Sequence, residues 1–210
     1  MKRGIAVVML LCAAGCSGGL RSNAPLAQTY YLRAHAPQTP ASAQPAAGMT
    51  LLITRPLPAP GLRSDHIVIV QPDHRLSYFA ASEWAEELPQ VVQALAMERL
   101  RASGDWAAVS DSDGAISSEY FLQIAIRRFE AEYTSEAAPP TVQVVFDCAL
   151  GRHADRVLLA SFSAHGTAVA SANRVGAVVT AFEEAANAAL SEVTARSVAA
   201  VRSSQAPSNP

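Results

Sequence analysis

The part of the sequence that most constrains the fold lies between residues 51 and 104, where a strand-like pattern gives way to a helix-like one. Ile67-Val68-Ile69-Val70 are four consecutive β-branched residues, which favour a strand. Pro72-Asp73 is typical of a turn, and Leu76-Ser77-Tyr78-Phe79 follows as the returning strand. The pattern therefore predicts a β-hairpin over these residues.

A helix is predicted immediately after this hairpin. From Ser82 onward, apolar residues recur at spacings of three and four, which is typical of one buried helix face: Trp84, Leu88, Val91, Val92 and Leu95. Pro89 suits a first helical turn, because the amide hydrogen it lacks would have no partner there. We therefore expect the helix to begin near Leu88 and to stop at Gly104.

Short strands are predicted on either side of this region. Leu51-Leu52-Ile53 indicates one strand, the segment 29–33 an earlier one, and the segment 106–109 a later one. A proline-rich connection with Pro56, Pro58 and Pro60 joins Ile53 to the hairpin. Residues 36–48 hold three more prolines and are predicted to be a loop.

Three strands and a second helix are predicted in the C-terminal half. Segments 118–133, 141–150 and 156–170 are strand-like and joined by short turns, which is typical of an antiparallel meander. An apolar stripe marks a long alanine-rich helix: Val175, Val178, Val179, Phe182, Ala186, Leu190, Val193 and Val201. Both helices must bury their stripes. The sequence thus predicts an α+β two-layer sandwich, with two amphipathic helices on one face of a mostly antiparallel sheet.

The first 16 residues have the pattern of a bacterial lipoprotein signal. Lys2 and Arg3 precede an apolar core too short to span a bilayer. Ala13-Ala14-Gly15-Cys16 is similar to a lipobox, with Ala13 where leucine is usual. The alternative is an ordinary secretory signal, with Cys16 incidental. We expect residues 1–15 to be removed and Cys16 to carry a diacylglycerol and an N-acyl chain.

These acyl chains would hold the protein at a membrane. Each buried CH₂ contributes about 0.8 kcal/mol, so three chains anchor a protein nearly irreversibly. By resemblance to other bacterial lipoproteins, the non-acidic Ser17 indicates the periplasmic face of the outer membrane. Residues 16–28 are predicted to be a flexible lipidated tether, residues 29–202 a single domain and residues 203–210 a disordered tail.

Charge and cysteine content exclude some classes of partner. The chain has 16 basic and 18 acidic residues, and loss of Lys2 and Arg3 with the signal leaves 14 against 18, a net charge of −4. This balance argues against nucleic acid, which needs a basic face. Cys12 leaves with the signal and Cys16 is acylated, so Cys148 has no disulfide partner and is interpreted as a small buried hydrophobic residue.

No catalytic or metal site is predicted. No pair of histidines shows metal-ligand spacing, and each lies in a predicted loop, turn or strand end: His35, His66, His74, His153 and His165. Ser163 lies near His165, but no motif of a serine hydrolase or phosphate loop accompanies them. The segment 111–114 resembles the start of a calcium loop but lacks the downstream glutamate, so we interpret it as a turn. Apart from the acyl chains, we expect no cofactor.

Several segments, taken in order, carry a family resemblance: Tyr30-Tyr31-Leu32, Pro58-Ala59-Pro60-Gly61-Leu62, Ile67-Val68-Ile69-Val70, Leu76-Ser77-Tyr78-Phe79 and Trp84-Ala85-Glu86-Glu87-Leu88-Pro89. On these segments nearly the whole mature chain resembles the ABC-type transport auxiliary lipoproteins, the family of paraquat-inducible protein C (PqiC). Asp65 and His66 depart from the aspartate–arginine pattern associated with the family.

The resemblance implies a role without chemistry of its own. Members of the family accompany inner-membrane ABC transporters whose MCE-domain proteins span the periplasm as lipid conduits, and some assemble into rings. It implies an accessory subunit of a phospholipid transport system that docks the conduit to the outer membrane. Its partners would be an MCE-domain protein, the permease complex and other copies of itself in a homo-oligomeric ring. The alternative is a free-standing lipoprotein of the envelope that binds lipid or peptidoglycan.

The residues that contact a partner are predicted from the proline content of one loop. The loop from Leu57 to Leu62 is the better candidate, because its prolines order it before binding and lower the cost of binding. Pro58, Pro60 and Leu62 are its predicted contact residues. Trp84 is a further candidate, and its alternative role is a core anchor at the start of the helix.

Overall fold

The computed structural model describes residues 27–35, 49–111, 118–135 and 137–206 of the 210-residue chain. They form strands β1 (Gln28–Tyr30), β2 (Thr50–Ile53), β3 (Leu57–Pro58), β4 (His66–Val70), β5 (Leu76–Trp84), β6 (Ala108–Asp111), β7 (Tyr120–Glu132), β8 (Thr141–Arg152) and β9 (Leu158–Val169), and helices α1 (Leu88–Ala102) and α2 (Val175–Gln205). The predicted signal peptide, Cys16 and most of the tether lie outside the described residues, as do 112–117 and 207–210.

Strand β7 organises the sheet. One of its edges pairs antiparallel with β8, which pairs antiparallel with β9. Its other edge is divided among three short strands that all run parallel to it: β2 at its start, β3 in its middle and β4 at its end. The sheet is therefore mixed. On its outer side β6 pairs parallel with β2, β5 antiparallel with β4, and β1 parallel with the end of β5.

The two helices cover one face of this sheet and contact each other. Alternate residues of β7 and β8 are buried beneath them, as the two-residue period of a strand requires. α1 contributes Leu88, Val92, Leu95 and Leu100 to the core, and the stripe of α2 includes Phe182, Leu190 and Val193. Each such side chain contributes about 1.5–3 kcal/mol when fully buried, so these stripes hold the two layers together.

Most local predictions are confirmed. The hairpin is β4–β5, α1 begins at Leu88 with Pro89 in its first turn, and β7–β9 form the antiparallel meander. The α+β fold with two layers is confirmed, although β2, β3 and β4 add parallel pairing that the sequence pattern does not show. α2 runs to Gln205, past residue 202, where the sequence places the end of the domain.

Candidate protein-contact surfaces

The predicted contact loop runs over residues 55–63, here called the proline loop. Its start is bound to the sheet, because β3 pairs with Ala125 and Ile126 of β7 and the Ala59 N–H donates to the Ile126 carbonyl at 2.9 Å. Leu57 is 51% exposed and Pro60 is exposed, whereas Pro58 is half-buried. The loop is thus a fixed feature that presents an apolar side chain to solvent.

The end of the loop is tied to the start of α1. The Leu88 N–H donates to the Ser64 carbonyl at 2.9 Å, and the Trp84 N–H donates to the Asp65 carbonyl at 2.6 Å. Arg55 Nη2 lies 3.2 Å from Glu87 Oε2 in an exposed ion pair. Arg55, Leu57 and Arg63 also border a small depression of about 110 Å³ against Pro89.

Two of the predicted contact residues belong to the core. Leu62 is 3% exposed and Trp84 is 2% exposed. The Trp84 ring meets Phe182 of α2 edge-on at 5.2 Å and Phe129 of β7 at 6.1 Å between centroids. Trp84 is therefore placed as a core anchor, its alternative role, and Leu62 holds the loop down rather than presenting it.

A second surface lies on the other flank of α1, between that helix and residues 30–32. It is a cleft of about 120 Å³ with Leu95 and Leu32 among its apolar lining residues. Tyr31, which is 74% exposed, forms part of its wall, and the exposed Glu86 and Glu98 also line it. We call it the tether cleft, because β1 follows directly on the predicted tether.

Side chains of α2 fix the position of this wall. Asn187, which is buried, accepts the His35 N–H at 2.7 Å and donates to the Arg33 carbonyl at 2.8 Å. Glu183 accepts the Arg33 N–H at 3.0 Å, and Arg99 of α1 donates to the His35 carbonyl at 2.6 Å. The main chain of residues 33–35 is thereby held across both helices. These hydrogen bonds could not be predicted from the sequence, because the side chains that make them lie more than 60 positions from residues 33–35.

The face of the sheet opposite the helices carries a polar ladder. Arg127 Nε donates to Asp147 Oδ2 at 2.6 Å, and the Ser163 hydroxyl donates to Asp147 Oδ1 at 2.6 Å. The Ser163 hydroxyl, and then Arg127, hold the pKa of Asp147 below its usual value. Ser163 thus bonds the carboxylate directly, with no histidine between them, and this is not the arrangement of a hydrolase triad.

Other chemistry is sparse in the described part of the chain. No group of three or more histidine, cysteine, aspartate or glutamate side chains there could hold a metal ion. Cys148 is buried and free, as predicted, and burial raises the pKa of its thiol to about 12. Neither α1 nor α2 combines the length and apolar character needed to cross a membrane.

Comparison with known proteins identifies the family. The family model described as "ABC-type transport auxiliary lipoprotein component" matches residues 30–194, from β1 to the middle of α2. The chain belongs to this family of ABC-type transport auxiliary lipoproteins, which is a family of transport accessory proteins rather than of enzymes. Among curated proteins, none matches the sequence.

Solved structures share the fold. Protein XCC0632 from Xanthomonas campestris, of family DUF330, is 23% identical, with 86% of this chain and 100% of that one covered and a TM-score of 0.77. An uncharacterized protein is 12% identical, with 82% of this chain and 99% of that one covered and a TM-score of 0.64. At such identities the likeness establishes the fold alone.

Proposed function

We propose that the protein is a lipoprotein of the outer membrane that faces the periplasm and serves as an accessory subunit of an ABC transport system for phospholipids. In this role it docks a periplasm-spanning MCE-domain conduit to the outer membrane. The observation that carries the proposal is the family match over residues 30–194, which spans almost the whole folded domain. A homo-oligomeric ring around the conduit is part of the proposal.

The layout of the chain supports this role. Cys16 precedes β1 by 12 residues, and at about 3.3–3.6 Å per residue such a tether reaches roughly 40 Å from the membrane. A domain on such a tether is confined near its membrane, which raises its effective concentration for a complex that ends there. The exposed part of the proline loop is the proposed protein-contact surface, since it is ordered before any partner arrives.

The test is a crosslinking capture from cells that make the full-length protein. Mild crosslinking and mass spectrometry should recover an MCE-domain protein and its permease with the wild-type chain. A Cys16→Ala variant should lose both, because it is no longer acylated and held at the membrane. Recovery of peptidoglycan without any transporter subunit would contradict the proposal and favour a free-standing envelope lipoprotein.

A further inference from the structure

We propose that the proline loop of one copy docks into the tether cleft of a neighbouring copy, so that the chains join head to tail. This proposal rests on the proposed function, which makes the proline loop a protein-contact surface, and it names a second copy of the chain as the protein contacted. It goes further by assigning a second surface, the tether cleft, and the chemistry that fills it.

The tether cleft is built to take an apolar segment with positive charge beside it. Leu32, Leu95 and the exposed Tyr31 supply an apolar and aromatic lining, and no cationic side chain lines the cleft. Glu86 and Glu98 have no hydrogen-bond or ion-pair partner among the described residues. Other carboxylates of the domain do have partners: Glu87, Glu130, Glu132, Glu183 and Glu192.

The two carboxylates come from different parts of the wall: Glu86 lies before α1 begins and Glu98 lies in its last turns. Leu88, the first residue of α1, and Glu98 are separated by about 15 Å along the helix axis at about 1.5 Å per residue, and Glu86 precedes Leu88. Aromatic-lined grooves take up proline-rich segments, and carboxylates beside such a groove favour a segment with flanking arginines.

The proline loop has this composition. Its sequence is Arg55-Pro56-Leu57-Pro58-Ala59-Pro60-Gly61-Leu62-Arg63, with an arginine at each end. Leu57 is the exposed apolar side chain between them. Arg63 has no ion-pair partner among the described residues, and the pair between Arg55 and Glu87 is exposed on both sides, so it exchanges readily for another carboxylate.

The two surfaces point away from each other on one molecule. Pro89 borders the depression at the proline loop, whereas Val91 lines the tether cleft. Pro89 and Val91 are two positions apart, which places them about 200° apart around the helix axis. The two surfaces therefore lie on opposite flanks of α1. A contact between such different surfaces is heterologous, and it repeats from copy to copy until a ring closes. Contacts of loop with loop or cleft with cleft would bring like charges together.

The first experiment reverses the charges of one surface at a time. Full-length lipoprotein in detergent is examined by analytical ultracentrifugation as wild type, as Glu86→Arg/Glu98→Arg and as Arg55→Glu/Arg63→Glu. Each variant alone should self-associate at least about tenfold more weakly than wild type, because two attractions become repulsions. An equimolar mixture of the two variants should assemble again, since each loop then meets a cleft of opposite charge.

Glu184→Arg is the matched control. Glu184 is an exposed carboxylate of α2 that lines neither surface, so its reversal should leave assembly unchanged. Thermal unfolding of every variant shows whether its fold is intact. A wild-type protein that stays monomeric, or a mixture that fails to assemble although both variants are folded, would overturn the proposal.

The second experiment does not depend on charge reversal. Leu57→Cys and Ala94→Cys are made in separate chains, with Ala94 chosen because it lines the cleft. Oxidation of the mixture should give a crosslinked dimer, whereas neither chain oxidised alone should do so. A crosslink of Leu57→Cys with itself, or none in the mixture, would overturn the head-to-tail contact.

Capture of the transporter separates this contact from the proposed function. Loss of MCE-protein capture from chains that still assemble would count against the proposed function alone. Normal MCE-protein capture by wild-type chains that do not self-associate would overturn the loop-to-cleft contact alone. If Glu86→Arg/Glu98→Arg lost MCE-protein capture but kept its assembly, the cleft would belong to the transporter, and the proposal would be wrong.

Discussion

Gly166 of β9 lies directly beneath Ala185 of α2, so close that a Cβ atom on Gly166 would be 1.8 Å from the Ala185 carbonyl oxygen. The atoms above Gly166 belong to a helix backbone and cannot rotate away. The Ala185 side chain is itself buried. The long helix can therefore rest on the edge strand at this distance only because residue 166 has no side chain.

We expect Gly166→Ala to lower the free energy of unfolding by about 1–3 kcal/mol, because α2 must move away from β9. Chemical denaturation of the purified domain measures the loss. Gly176→Ala is the control: nothing lies within 4 Å of its added Cβ, and alanine favours a helix by up to about 1 kcal/mol. Equal stability of the two variants would contradict the close contact.

Trp84, whose ring contacts Phe129 and Phe182, should behave as a core residue. Trp84→Ala removes a ring that packs edge-on against both Phe129 and Phe182 and should cost about 3–5 kcal/mol of unfolding free energy. Tyr31→Ala, at an exposed aromatic side chain, should change that free energy by no more than about 0.5 kcal/mol. A Trp84→Ala protein with wild-type stability and impaired partner capture would instead support a surface role. Denaturant titration followed by circular dichroism distinguishes these results.

The sequence predicts the parts of the fold that short-range patterns encode. The β4–β5 hairpin follows from adjacent strands with a Pro72-Asp73 turn, and the position of Pro89 indicates where α1 begins. The pairing of β2, β3 and β4 with β7 could not be predicted in this way. Leu51 pairs with Tyr120, 69 residues away, and no local pattern identifies so distant a partner.

The same limit applies to the contact surfaces. Leu57 and Leu62 lie in the same proline-rich segment, and no sequence pattern distinguishes their exposure. The tertiary fold exposes Leu57 and buries Leu62. The tether cleft combines Tyr31 with Glu98, which are brought together by the packing of an early strand on α1. Pro60 is exposed, whereas Pro56 of the same loop is buried, so proline content alone does not predict which residues of the loop face solvent.

Asp147 should make stability depend on pH. The Ser163 hydroxyl and Arg127 lower its pKa in the folded protein below the value of about 3.9 for an unfolded chain. Its contribution is therefore fully present above about pH 4 and is lost as the pH falls through the folded pKa. We expect Ser163→Ala to raise the pKa of Asp147, as measured by carboxyl NMR titration. Ser161→Ala, at an exposed serine on the same strand, should leave it unchanged.

Cys148 should be unreactive until the protein unfolds. Burial raises its thiol pKa to about 12, so the thiolate at about pH 8 is on the order of 10³-fold scarcer than for a free cysteine. Iodoacetamide labelling of a chain expressed from residue 17 onward should be correspondingly slow and should become fast in denaturant. Rapid labelling of the folded chain would show that the thiol is accessible, contrary to its position in the core.

The divided edge of β7 has a consequence for the order in which the protein matures. Ile69 of β4 pairs with Ala131 of β7, 62 residues later in the chain. β2 and β3 also pair with β7. In a chain that emerges N-terminus first, the β4–β5 hairpin has its own partner strands, but β2, β3 and β4 emerge before the strand β7 that joins them. Contacts of such high sequence separation form slowly. The first half of the sheet can therefore be completed only after β7, which ends at Glu132, has emerged.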